Sequence, residues 1–81
     1  MINLCSLDKL PIRQTAIIHH LKLLPQVCLR FAEMGFVPEQ EITVIKKAPF
    51  GDPLEISIMN YRVCIRKTEA EHIFVSVKGE A

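Results

Sequence analysis

The chain has 81 residues, 49% of them hydrophobic and 23% charged, with a net charge of +1. A chain of this length makes one domain, buries roughly 60% of the surface its unfolded form exposes, and has no room for a deep cleft beneath a lid. The small net charge gives no field that would draw nucleic acid or an anionic membrane. The longest purely apolar runs are three residues, whereas a membrane-spanning helix needs about 20. Met1–Cys5 carries no charged leader and no cleavage-like site, so the expectation is a globular, cytoplasmic protein that neither inserts in a membrane nor leaves the cell.

Leu7-Asp8-Lys9-Leu10-Pro11 reads as an irregular lead-in. Gln14–Leu21 follows, and its β-branched Ile17 and Ile18 predict a first strand. Leu24, Val27, Cys28, Phe31 and Met34 recur at helical spacing, which predicts a helix over 25–34. Pro25 suits its first turn, where a missing N–H costs nothing, and Gly35 suits the left-handed position just past its end. Gln26, Arg30 and Glu33 form the opposite face.

After a turn at 36–40, Glu41–Lys46 predicts a second strand. Pro49, Gly51, Asp52 and Pro53 then build a tip that bends and cannot be helical. Leu54, Ile56 and Ile58 alternate with Glu55 and Ser57 as a half-buried third strand. Met59-Asn60 predicts a tight turn, with Asn60 taking positive φ. Tyr61–Arg66 alternates as a fourth strand. Thr68-Glu69-Ala70-Glu71 matches a capping box and predicts one helical turn. Ile73–Val77 makes a fifth strand, and residues 78–81 read as a frayed end.

Short strands with tight connections favour a small barrel, which removes the sheet edges that invite aggregation. The expectation is a mainly β, SH3-like five-stranded barrel with one α-helix and a one-turn helix before the last strand. Its core should include Ile17, Val27, Phe31, Val44, Ile56, Val63, Ile65, Ile73 and Val75.

The run from Lys46 through the Pro/Gly tip to Val75 resembles the FeoA family, the small cytosolic companions of the bacterial ferrous iron transporter FeoB. Four elements carry the resemblance in order across about residues 4–77: Leu7-x-x-Leu10-Pro11, the helix end Met34-Gly35-Phe36, the loop Ala48–Pro53, and Ile65-Arg66-Lys67-Thr68-Glu69-Ala70. Two positions depart from it. Glu39 follows Pro38 where the family commonly has Gly, which implies a type I turn or strain, and Arg13 stands where a Gly is favoured. The resemblance implies an SH3-like domain that supports ferrous iron uptake by contacting FeoB. The same domain type forms the C-terminal module of iron-dependent DtxR-like repressors. No helix-turn-helix precedes it here, so the freestanding form is expected.

The residues themselves announce no chemistry. No phosphate loop, acid/base pair or metalloprotease helix appears, so no catalytic residue and no cofactor are expected. Cys5, Cys28 and Cys64 lack the paired spacing of a zinc ribbon or disulfide framework and read as free thiols. Cys28 lies on the helix's apolar face, and Cys64 lies between Arg62 and Arg66, which would favour its thiolate. His19 and His20 are adjacent on a strand, so their rings should point to opposite faces and not chelate one ion. No metal ligands are assigned on that ground, and His72 could approach only through the fold. A metal-responsive domain, for iron or zinc, without catalysis is the alternative reading.

The expected partner-facing residues are Pro49, Phe50, Gly51, Asp52 and Pro53, with Arg62, Arg66 and Lys67 nearby, and the implied partner is a FeoB-like membrane transporter. Phe50 has two fates: it folds back to plug the barrel end, or it stays exposed as a contact. Lys46, Lys47, Arg62, Arg66 and Lys67 form a basic stretch diluted by Asp52 and Glu55, and a solvated surface is its ordinary meaning. A single Tyr and no Trp argue against a polyproline groove.

Overall fold

A computed structural model describes residues 4–77; the frayed end expected at 78–81 lies outside them. Six antiparallel strands form one sheet in the order β1-β6-β2-β3-β4-β5. They are β1 (Leu4–Ser6), β2 (Thr15–Leu21), β3 (Glu41–Lys47), β4 (Leu54–Ile58), β5 (Tyr61–Ile65) and β6 (Ile73–Val77). Two helices, α1 (Pro25–Glu33) and α2 (Lys67–Ala70), complete a small SH3-like barrel. The sheet has one strand more than expected. Leu4, Cys5 and Ser6 pair with Ser76, Val75 and Phe74.

The lead-in is ordered and central. Leu7–Lys9 makes a single 3-10 turn closed by the Leu10 N–H donating to Leu7 O at 3.1 Å. Leu7 and Leu10 are both fully buried. They join Ala16, Ile18, Phe31, Phe36, Ile42, Val44, Leu54, Ile56, Ile58, Ile65, Ala70, Ile73 and Val75 in one apolar core. Six predicted core residues, Phe31, Val44, Ile56, Ile65, Ile73 and Val75, stand in it. Val27 and Val63 pack against its margin. Ile17 does not belong. Ala16 and Ile18 are the inward residues of β2, and Ile17 sits half-buried on the other face with Thr15. The Thr15 and Thr43 hydroxyls hydrogen-bond there at 2.9 Å. Two adjacent isoleucines leave the phase of a strand ambiguous, and a one-residue change of phase exchanges its faces.

Helix α1 begins with Pro25 and ends where Gly35 takes φ +101°. The Gly35 N–H donates to Ala32 O and the Phe36 N–H to Phe31 O, both at 3.0 Å. That double closure is a Schellman motif, and its apolar contact is the edge-to-face pair Phe31–Phe36, 5.3 Å between ring centroids. Sequence spacing therefore located both ends of this helix for the right reasons.

One turn differs from expectation, and two others carry backbone strain. Met59, not Asn60, carries the positive φ of the β4–β5 hairpin, at +59°. Its sulfur lies over Gly35, so a methyl group there would approach Met59 Sδ to 2.9 Å. Glu39 and Arg13 both occupy the left-handed region, at φ +75° and +73°. Of the type I turn or strain expected at Pro38-Glu39, the strain is what occurs, since type I needs negative φ at both centres.

Among the described residues the hydrogen-bonded order starts at β1 and stops at β5, so the sheet keeps two edges where an edgeless closure was expected. Arg62 and Cys64, both exposed, lie on the terminal strand β5. A charged side chain on an edge discourages strand addition by another chain.

Candidate loop site and the family it belongs to

The loop between β3 and β4 is built by local constraint. Ala48 N–H donates to Pro53 O at 3.0 Å and Gly51 N–H to Ala48 O at 2.7 Å, closing its base and its tip. Pro49–Gly51 forms a single 3-10 turn broken by Phe50, whose φ is +68°, with Gly51 following at +77°. These left-handed residues turn the chain outward. The Phe50 side chain is 100% exposed. It does not plug the barrel end, and the core beneath is filled by Leu54, Ile65 and their neighbours instead.

Asp52 ties this loop to α2. Its Oδ1 accepts the Lys67 N–H at 2.9 Å and its Oδ2 accepts from Arg66 Nη2 at 3.2 Å. The Lys67 N–H holds the Asp52 carboxyl below the usual carboxylate range; desolvation opposes it to a lesser extent, and the Arg66 charge adds a still smaller downward push. Glu69 continues the connection. Its Oε1 accepts the Arg66 N–H at 3.0 Å and its Oε2 accepts from Arg30 Nη2 on α1 at 3.0 Å.

The first turn of α2 is therefore capped differently from the Thr68–Glu71 box that the sequence suggests. Arg66 is the N-cap, Glu69 reaches back to its N–H, and the next amide is taken by Asp52 from outside the helix. An arginine has no acceptor atom for its own helix, so the loop carboxylate supplies what the local sequence lacks.

Of the residues expected to face a partner, Pro49–Pro53, Arg66 and Lys67 come together. Arg62 stands apart. It lies opposite Ser57 on the β4–β5 ladder and pairs with Glu55 at 3.2 Å, whereas Leu54, next to the loop, faces Ile65. The basic stretch is not one free patch. Lys47 Nζ donates to Asp8 O at 3.1 Å, and the Arg62 and Arg66 guanidinium groups face carboxylates. These arginines are mostly exposed, and such pairs contribute about 0–1 kcal/mol each.

Helical spacing alone did not predict a second apolar feature. Leu24, the residue that precedes α1, and Leu29 within it are 63% and 68% exposed, although helical spacing put Leu24 on the inward face. Beside them, His20, Leu21, Cys28, Ala32, Phe36 and Val37 line a groove of 320 Å³. Leu29 breaks the polar face formed by Gln26, Arg30 and Glu33, and that irregularity was the available signal. Cys28 Sγ donates to Leu23 O at 3.4 Å. Burial and the Asp8 carboxylate push the Cys5 thiol up, away from the nucleophilic form.

Six short antiparallel strands, a flanking helix and a one-turn helix before the last strand define an SH3-like domain. Its sequence matches the FeoA domain family over residues 5–77, and the chain belongs to that family. It is 44% identical over 48 residues to a ferrous iron transport protein A/ferrous iron transporter FeoB fusion protein of Porphyromonas gingivalis, a match spanning 59% of this chain and 6% of that protein. The fold superimposes on a FeoA-like protein from Clostridium acetobutylicum with a TM-score of 0.87 and 30% identity, covering 100% of this chain and 94% of the other. It also matches the SH3-domain FeoA of Stenotrophomonas maltophilia complexed with zinc, with a TM-score of 0.75 and 28% identity over 86% of this chain and 87% of that one. No described helix is long and apolar enough to cross a membrane.

Proposed function

We propose that this domain is a non-catalytic cytoplasmic accessory of ferrous iron transport that works by docking on a FeoB-like membrane transporter through the 49–53 loop. The observation that carries the reading is Phe50. A phenylalanine ring fully in water, on a tip closed by two backbone hydrogen bonds and braced by Asp52, is unfavourable unless a partner covers it. The bracing lowers the ordering cost of binding, because the contact geometry exists before the partner arrives. Arg66 and Lys67, both tied to Asp52 of the same loop, place basic residues beside it and favour an acidic rim on the partner.

Fusion of the two proteins in the Porphyromonas gingivalis relative supports association with a FeoB-type partner. The test is titration of the purified domain against detergent-solubilised FeoB from the same cell, with and without Fe²⁺ and guanine nucleotide. Saturable binding that weakens in Phe50→Ala supports loop docking. Equal affinity of Phe50→Ala and the parent, with the variant folded, removes the loop from the interface.

A further inference from the structure

The rings of His19 and His20 do not point to opposite faces. The β2–β6 register shifts between Ile18, which faces Val75, and His20, which faces Phe74, leaving His19 as an extra residue in a β-bulge. A bulge breaks the strict alternation of a strand and re-aims its side chains. Here it brings the two Nδ1 atoms to 2.8 Å, with ring centroids 5.0 Å apart and ring planes at 78°. His20 is further fixed by stacking on Phe74, at 4.9 Å between centroids and 12° between planes. His19 is exposed and His20 half-buried, so solvent reaches the pair.

We propose that His19 and His20 bind one divalent first-row transition ion through their Nδ1 atoms. With each nitrogen at about 2.0–2.1 Å from a metal, a right-angled pair of ligands needs about 2.9 Å between them and a tetrahedral pair about 3.3–3.4 Å. The observed 2.8 Å therefore matches the bite of an octahedral or square-planar ion. Neutral imidazoles suit iron, nickel and copper and do not suit magnesium.

Without metal the two nitrogens share one proton as an N–H···N hydrogen bond. Metal entry needs that proton to move to the Nε2 of the same ring and the exposed His19 ring to turn so that both Nδ1 lone pairs converge on the ion; no net proton is released. The stack on Phe74 holds one ligand in place, so little rotamer freedom is lost on binding.

Among the described residues no third His, Cys, Asp or Glu completes the set. The remaining positions are open to water or to a donor on another molecule. The site is independent of loop docking and involves none of its residues.

The test uses the full chain titrated with Ni²⁺, with Fe²⁺ under anaerobic conditions, and with Mg²⁺ as control, followed by NMR. Paramagnetic broadening by Ni²⁺ and Fe²⁺ should begin at His19, His20 and Phe74, and Mg²⁺ should leave the spectrum unchanged. His19→Ala, at an exposed position, should keep the fold. It should lower Ni²⁺ affinity at least as much as loss of an outer-shell partner does, about 10–100-fold, while His72→Ala changes nothing. Broadening centred on Cys64, His72 or the N-terminal amine, or unchanged Ni²⁺ affinity in His19→Ala, would overturn the proposal.

Discussion

The Asp52 carboxylate caps the backbone amide of Lys67, joining a loop to a helix that begins fifteen positions further along the chain. The same carboxylate faces the Arg66 guanidinium, so one side chain fixes both the first amide of α2 and the base of the Phe50 turn.

Acid titration should expose this cap. Folding favours the ionised form of Asp52, so its stabilising effect is complete above the unfolded value near 4 and is lost as pH falls through the lower folded value. Urea midpoints measured from about pH 7 to about pH 2.5 should show the parent ahead of Asp52→Asn at neutral pH, with the gap closing below about pH 4. A gap that stays constant across the range would assign the effect to shape and not to charge.

Phe50→Ala should leave stability within about 0.5 kcal/mol of the parent, because the ring touches no core residue and the left-handed backbone is equally awkward for alanine. The transporter affinity should fall by about thirtyfold, the effect of losing one aromatic anchor worth about 2 kcal/mol. Paired thermal melts and binding isotherms separate the two outcomes.

Gly35→Ala should destabilise by about 1–2 kcal/mol from the left-handed backbone alone. The methyl group would also meet Met59 Sδ at 2.9 Å and Ile58 Cδ1 at 3.3 Å. Adding Met59→Ala should recover the steric part and leave the backbone part, so the two substitutions should be non-additive in denaturant melts.

Arg13→Gly and Glu39→Gly should each stabilise the domain by up to about 1 kcal/mol, since both parent residues carry a side chain at positive φ. Both are exposed, so few packing contacts are lost. A drop in melting temperature for either would mean that the backbone there is not strained.

Helix α1 was legible because its signals are local: Pro25 at the start, Gly35 at the end, and apolar residues spaced between them. Strands β2 to β6 were legible by alternation, up to the phase of Ile17. Strand β1 was not, because three residues carry too short a pattern and their partners lie some seventy positions away. The α2 cap was misread for the same reason. Thr68 offers a plausible local hydroxyl, while the acceptor that takes the Lys67 amide arrives from the loop. Alternation also misjudged the two histidines, since a bulge is a property of two strands together and cannot be read from one. Phe50 was singled out by its place among prolines and glycine, but only the filled core beneath it decided between plug and contact.

Leu4 faces Ser76 across the β1–β6 ladder, so the described stretch is entered and left at neighbouring points on one rim. A tether joined at either end would hang the barrel from nearly the same spot and swing it through nearly the same arc. Such a module can be spliced ahead of a larger polypeptide or behind it while presenting the same loop to whatever lies within reach.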